Sequence, residues 1–268
     1  MGHTRLGYLP TSRRWRQVVA ALSGEGREAS SEHQLLDEID LIAISTLEAA
    51  QAGVESAIND VGFRYSFYLL TQLVLAARET KWEKRLAELG VNPSETNSIF
   101  ELSIEIQRLV DDYVLSHGQS SDIGEMAQQA MGESICALAG PKSIALFGTS
   151  EEELQSAIRA LSTKKGFSDL GQRFFGRFIF HFLNFYLSRG TAAQVGTSRI
   201  YQVGSLSKFN EILQTHCDQT AKIVRNFCGE WYSKTEYKKG IDEHNTSRFL
   251  AVALKKLQSE MKRQRVNL

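Results

Sequence analysis

The segment from Ser168 to Ser188 constrains the fold most, because nearly all of its residues are large and apolar. Its apolar residues are Phe174, Phe175, Phe178, Ile179, Phe180, Phe182, Leu183, Phe185, Tyr186 and Leu187. Burying one such side chain is favourable by about 1.5–3 kcal/mol before conformational entropy is subtracted. We therefore predict a helix that other parts of the chain cover over most of its circumference.

The polar residues of this segment fall on one side of the predicted helix. At ~100° per residue they lie within an arc of about 80°. This polar line consists of Arg173, Arg177, His181 and Asn184. Two interpretations are open: the line faces water, or it lines a groove that holds an anion or a carboxylate-bearing partner.

A buried polar line would need carboxylate partners, because an unpaired buried charge is costly. The stretch from Glu28 to Phe63 contains eight acidic residues and neither Lys nor Arg. We therefore expect Glu48, Glu55 and Asp60 to be the nearest candidates for pairing with the arginines.

Apolar residues at intervals of three and four predict helices along most of the chain, and the three prolines fall in connections. Ser150 followed by Glu153 forms a capping box at the start of one helix. The predicted helices cover Thr11–Leu22, Gln34–Ala57, Phe63–Leu89 with a break near Thr80, Ser98–His117, Asp122–Ala139, Glu151–Leu161, Ser168–Ser188, Leu206–Tyr232 and Thr246–Arg265.

Evidence for strands is thin, since Ser143–Phe147 and Arg199–Val203 do not alternate over enough residues to require a sheet. We predict an all-α protein, an irregular bundle of about eight or nine helices with at most a minor extended segment. Residues 1–27 are predicted to form a basic N-terminal arm with a short helix. Residues 28–268 are predicted to form a single helical domain, with a subdivision near residues 140–149 left open.

The three cysteines show no paired spacing, which favours reduced thiols and a cytoplasmic location. Cys217 and Cys228 fall on one face of a predicted helix and are interpreted as buried structural thiols. The apolar stretches Phe67–Ala77 and Phe174–Leu187 are shorter than the ~20 residues that a membrane span needs. No metal or cofactor is expected, because metal-ligand spacings, phosphate loops and nucleophile elbows are missing from the sequence.

Charge is segregated along the chain although 31 basic residues balance 31 acidic ones. Basic residues dominate both the beginning and the end of the sequence, and aromatic residues are interspersed among them. Such surfaces are typical of contacts with a protein or with a nucleic acid. The candidate contact residues are Arg5, Arg13, Arg14, Trp15, Lys255, Lys256, Lys262, Arg263 and Arg265.

These patterns favour a non-catalytic helical interaction or accessory subunit of a larger protein assembly, with a protein partner or a second copy of the chain. Three alternatives stay open. One is a nucleic-acid-binding protein that uses the basic C-terminal helix, and another is a membrane-perturbing effector that uses the Phe-rich helix. The third is a metal-independent enzyme acting on RNA or phosphoesters through Arg177 and His181.

Overall fold

The computed structural model describes residues 12–23, 32–92, 96–117, 120–142, 150–193 and 203–263. Within these ranges the chain forms ten α-helices and three short 3₁₀ turns, and it has no strand. The helices are α1 (Arg13–Ser23), α2 (Glu32–Ser56), α3 (Val61–Ala76), α4 (Trp82–Glu88), α5 (Ile99–His117), α6 (Asp122–Ala139), α7 (Glu151–Arg159), α8 (Lys164–Ala193), α9 (Val203–Lys239) and α10 (Glu243–Arg263). The predicted all-α class is confirmed.

The predicted number of eight or nine helices is too low, because the described residues contain ten. The break expected near Thr80 is confirmed and separates α3 from α4. Helix α8 continues to Ala193, past its predicted end at Ser188. Of the two candidate extended segments, Ser143–Phe147 lies outside the described residues, as does Arg199–Val203 apart from Val203, which begins α9.

Side-chain caps determine where several helices begin. The Asp60 carboxylate accepts a hydrogen bond from the Phe63 amide at the start of α3, with an N–O distance of 2.8 Å. Ser121 accepts one from the Gly124 amide at the start of α6. Ser150 and Glu153 form the predicted capping box at the start of α7. Each cap satisfies a backbone donor that the first turn of a helix leaves without an intrahelical acceptor.

Helix α8 lies at the centre of the molecule and packs most extensively against α9 and α6. Its Phe174 and Phe178 side chains are fully buried. The Phe63 ring of α3 lies 4.6 Å from the Phe178 ring, and the Phe67 ring lies 5.2 Å from the Phe174 ring, between centroids. The prediction that the rest of the chain covers this aromatic stretch is confirmed.

Helices α8 and α9 approach each other closely because glycines lie in their interface. A Cβ atom on Gly171 would lie 2.5 Å from the Cys228 Sγ, and one on Gly176 would lie 2.5 Å from the Asp218 Oδ1. No side chain fits at Gly171 unless the helices shift, and one at Gly176 fits only if the Asp218 side chain moves. This close approach brings the polar line of α8 within reach of polar residues on α9.

Helix α1 docks on the core through Trp15, which is 3% exposed and packs against the Tyr186 ring at a centroid distance of 5.8 Å.

Buried residues from both sides of residues 143–149 belong to one hydrophobic cluster, including Ile135 and Leu154. None of the helices in the described ranges has both the length and the apolar character that crossing a bilayer requires.

Candidate functional site

The four residues of the polar line are partly buried along α8, on its side toward α6 and α9. The side chains of Arg173, Arg177 and His181 are 33%, 25% and 18% exposed. Neither of the two interpretations from the sequence describes this arrangement fully. The line is neither an open solvent face nor a sealed interior cluster.

At one end of the line, Arg173 pairs with Asp218 of α9. The distance between Arg173 Nη1 and Asp218 Oδ2 is 3.4 Å. The Gln214 side-chain amide donates a hydrogen bond to the other carboxylate oxygen of Asp218 at 3.1 Å. The Nε atom of Arg173 is buried and forms no hydrogen bond with any described residue. This guanidinium is therefore compensated in charge but not fully hydrogen-bonded.

At the other end, Glu133 of α6 compensates both Arg177 and His181. Its two carboxylate oxygens lie 3.4 Å from Arg177 Nε and 3.0 Å from His181 Nε2, without the alignment of hydrogen bonds. Arg177 Nη1 also donates to the Gln214 side-chain oxygen at 2.9 Å. Gln214 thus connects the two ends into one polar network across three helices.

The expected pairing of the arginines with Glu48, Glu55 and Asp60 is wrong. Glu48 lies 3.3 Å from Arg14 of α1, and Glu55 accepts a hydrogen bond from Gln258 of α10. Asp60 caps α3. The acidic helix α2 faces α1, α9 and α10 more than it faces the polar line, because α8 lies mainly against α6 and α9.

The two carboxylates of the network differ in their affinity for a proton. Burial alone would raise the pKa of the Glu133 carboxyl, but the contact with His181 and the positive charge of the arginines lower it below its ordinary value. For Asp218, burial outweighs Arg173, Arg177 and Gln214, and the pKa of its carboxyl is raised. The network therefore holds a more acidic carboxyl at its α6 end and a less acidic one at its α9 end.

This arrangement is suited to joining helices. Each charged group of the line lies against a group of opposite charge on a neighbouring helix, so an incoming anion would compete with Glu133 or Asp218 for the same guanidinium groups. Asn184 lies on the same side and is partly buried. Among the described residues, no group of three or more His, Cys, Asp and Glu side chains is arranged to hold a metal ion.

The candidate contact residues near the N-terminus separate into two kinds. Arg13 and Arg14 are exposed, and Arg14 pairs with Glu48. Trp15 differs from the expectation of a contact residue, because its ring is buried in the core and is not available to a partner. Arg5 lies outside the described residues.

The candidate contact residues of α10 are exposed. Lys256 lies over the Phe227 ring, with its Nζ 5.3 Å from the ring centroid, and Arg263 pairs with Glu260 at 3.6 Å. Lys255 and Lys262 form no ion pair with a described residue. Arg265 lies outside the described residues.

The sequence interpretation missed an apolar strip on the exposed side of α5. Phe100, Ile104 and Leu115 are 67%, 49% and 75% exposed. At ~100° per residue they lie within an arc of about 60°, and we name them the α5 stripe. The sequence alone carries the signal for this surface. Phe100, Ile104 and Leu115 do not belong to the row of apolar residues that the helical period assigns to the buried face of α5.

No protein-family profile, curated protein or solved structure matches this chain.

Proposed function

We propose that this protein is a non-catalytic helical subunit of a protein assembly and that α5 is its docking face. The observation that carries the proposal is the exposed α5 stripe. Large apolar side chains that are aligned along one helix and left in water favour association, at about 1.5–3 kcal/mol for each side chain that becomes fully buried. From Phe100 to Leu115 the stripe extends over about 22 Å at ~1.5 Å per residue.

The occupant that we propose is a second copy of the same helix. In a two-fold antiparallel pairing, Phe100 of one copy lies opposite Leu115 of the other, so that apolar groups meet at both ends. In the same register Gln107 lies opposite Arg108 and Ile104 lies opposite Asp111, so the centre carries both signs of charge and no block of like charge. A surface that is complementary to itself in this way suits a closed two-fold dimer, the commonest form of soluble oligomer.

Sedimentation velocity over a wide range of protein concentrations tests this proposal. We expect the parent protein to associate, and we expect Phe100→Asp and Leu115→Asp each to weaken association by roughly tenfold to a hundredfold. Both substitutions are at exposed positions, so the helical circular dichroism should not change. Tyr237→Asp is the matched control, because Tyr237 is 89% exposed on α9 and lies outside the α5 stripe.

Two results would contradict the second copy as the occupant: a parent protein that stays monomeric, or α5 variants that associate as strongly as the parent. Affinity purification from the native host then tests the wider proposal. Loss of a bound protein in the α5 variants but not in Tyr237→Asp would identify a different partner on the same face. Identical partners in all four proteins would overturn α5 as a docking face.

A second candidate function, nucleic-acid binding, is favoured by α10. Arg248, Lys255 and Lys262 follow one another at intervals of seven residues, about 10 Å apart along one face, and none forms an ion pair with a described residue. Phosphate contacts of this kind would make affinity for single-stranded RNA fall steeply with salt. A partner protein that stays bound after nuclease treatment would indicate a protein complex. A partner that is lost on nuclease treatment would indicate binding through nucleic acid.

A further inference from the structure

A cavity of about 340 Å³ lies where α8 begins, away from the α5 stripe and from the polar line. Arg78 follows α3, Arg159 ends α7, Lys164 begins α8 and Glu236 lies near the end of α9. All four line the cavity. Three positive side chains therefore face one carboxylate in a single concave space.

The positive charge of this cavity is only partly compensated. Arg78 Nη1 lies 2.8 Å from Glu236 Oε1, and Lys164 Nζ lies 3.9 Å from a carboxylate oxygen of Glu230. Arg159 is exposed and forms no ion pair with a described residue. A net positive charge remains, and it would attract a small anion.

The beginning of α8 lies at this cavity, since Thr163 and Lys164 line it. The Thr163 side chain accepts a hydrogen bond from the Gly166 amide at 2.9 Å, and the Thr163 carbonyl accepts one from the Phe167 amide at 2.8 Å. The two preceding amides, those of Lys164 and Lys165, have no acceptor within the helix. Since α8 is 30 residues long, the partial positive charge at this end is fully developed.

An independent observation that points to a ligand comes from Tyr232. Its side chain lines the cavity and is only 2% exposed, and its hydroxyl is buried without a hydrogen-bond partner among the described residues. The hydroxyl lies near the Arg78 guanidinium but outside hydrogen-bonding geometry. A buried hydroxyl that lacks a partner is costly, so an acceptor brought by a ligand would relieve that cost.

The hydroxyl of Tyr232 remains a donor at neutral pH. Burial raises its pKa to about 12, although the positive charge of Arg78 opposes the shift. A protonated hydroxyl beside cations suits an oxyanion oxygen, whereas it would not attract a metal ion.

We propose that this cavity binds a phosphate group, either as free phosphate or as the terminal phosphate of a phosphomonoester. Arg159 and Lys164 neutralise its charge, while the first amides of α8 and the Tyr232 hydroxyl donate hydrogen bonds to its oxygens. A doubly charged tetrahedral group fits this set of donors, which converge on the cavity from two helices and from the end of a third.

Isothermal titration calorimetry with inorganic phosphate and with phenyl phosphate, at constant ionic strength, tests the site. We expect saturable binding that weakens roughly tenfold or more in Arg159→Gln and in Tyr232→Phe, because each removes one charge-assisted contact. Glu236→Gln should bind severalfold more tightly, because it removes the carboxylate that faces the ligand. Arg248→Gln, which removes an exposed cation on α10, should bind like the parent.

The outcomes also identify the source of the phosphate. Tighter binding of phenyl phosphate indicates a phosphomonoester, and tighter binding of inorganic phosphate indicates the free ion. Circular dichroism checks that each variant folds, and Lys164→Gln replaces Tyr232→Phe if that protein does not fold. Absence of saturable binding, or parental affinity in both Arg159→Gln and Tyr232→Phe, would overturn the proposal.

Discussion

At the scale of single residues, Glu133 and Asp218 are two carboxyl groups of one network whose pKa values are shifted in opposite directions. Glu133 lies between Arg177 and His181. Asp218 pairs with Arg173 but is affected more strongly by burial. The fold therefore favours the charged form of the first carboxyl and the protonated form of the second.

This difference predicts opposite pH dependences for Glu133→Gln and Asp218→Asn. The pKa of Glu133 is lowered from its ordinary value of 4.5, so the stabilisation from its charge is present above that value and is lost as the pH falls through the lowered pKa. The pKa of Asp218 is raised from 3.8, so its contribution is greatest below that value and is lost as the pH rises through the raised pKa.

Urea unfolding at a series of pH values measures both effects. The parent should gain stability relative to Glu133→Gln as the pH rises from acid toward neutrality, and it should lose stability relative to Asp218→Asn. We expect about 0.5 kcal/mol for Glu133, because its side chain is 43% exposed and solvent screens the pair. Two pH profiles of the same sign would contradict the assignment.

The side chains of the polar line could be predicted from the sequence, but their partners could not. Arg173, Arg177 and His181 share a face because the helical repeat is a local property of the chain. Glu133 and Asp218 are 40 or more residues away from their partners in the sequence. Which carboxylates reach the arginines depends on how α6 and α9 pack on α8, and apolar periodicity does not specify that packing.

At the scale of helices, the close packing of α8 on α9 depends on small residues at defined positions. Gly171 faces Cys228, and Gly176 faces Asp218. The same contact that buries the aromatic face of α8 also brings Asp218 toward Arg173. The short distance between α8 and α9 therefore determines both the packing of the aromatic face of α8 and the pairing of Arg173 with Asp218.

Gly171→Ala should destabilise the protein by about 1–3 kcal/mol, as overpacking a tight interface typically does. The new methyl group would lie 2.5 Å from Cys228 Sγ and would force the helices apart. The matched control is Gly140→Ala, because Gly140 has helical dihedral angles and nothing lies within 4 Å of a Cβ placed there. This control should be neutral or more stable by about 0.4–1 kcal/mol. Guanidinium unfolding checks both, and equal stabilities would contradict the close approach.

The start of a helix can be predicted where a capping residue directly precedes a segment with apolar periodicity. Predicted and observed bounds of α6 agree at Asp122 and Ala139, and the capping box at Ser150 is present. Helix α8 instead begins at Lys164, four residues before the predicted start, with Thr163 as its cap. Thr163 is followed by Lys164, Lys165 and Gly166, which carry no apolar periodicity, so the pattern alone placed the start too late.

At the scale of the whole molecule, the acidic helix α2 contacts helices from both the beginning and the end of the described chain. Glu48 of α2 contacts Arg14 of α1, Asp40 lies 2.7 Å from His216 of α9, and Glu55 accepts a hydrogen bond from Gln258 of α10. The acidic helix is therefore surrounded by polar groups from three other helices. Pairs that solvent partly screens contribute little individually, so the shared hydrophobic core is the main source of stability.

The cysteines offer a measure of how cooperatively that core unfolds. Cys217 and Cys228 are fully buried, and burial raises the pKa of both thiols, whereas Cys136 is partly exposed. A thiol-reactive dye should label Cys136 in the native protein. It should label Cys217 and Cys228 only at the rate at which the molecule opens globally.

Mass spectrometry of peptides from labelled Cys136→Ser protein tests this expectation without interference from the exposed thiol. The two remaining cysteines should be labelled together, and the free energy from their rates should equal that from urea unfolding. Rapid labelling of Cys217 in folded protein would show that α9 separates from α8 without global unfolding.

The burial of Trp15 limits how the N-terminal arm can be studied by deletion. A truncation that removes residues 2–15 also removes an indole ring packed on Tyr186, so a lost interaction could not be distinguished from a damaged fold. A shorter truncation that ends before Ser12 keeps the ring and the Ser12 side chain that accepts a hydrogen bond from the Trp15 amide. Only that version reports on the arm by itself.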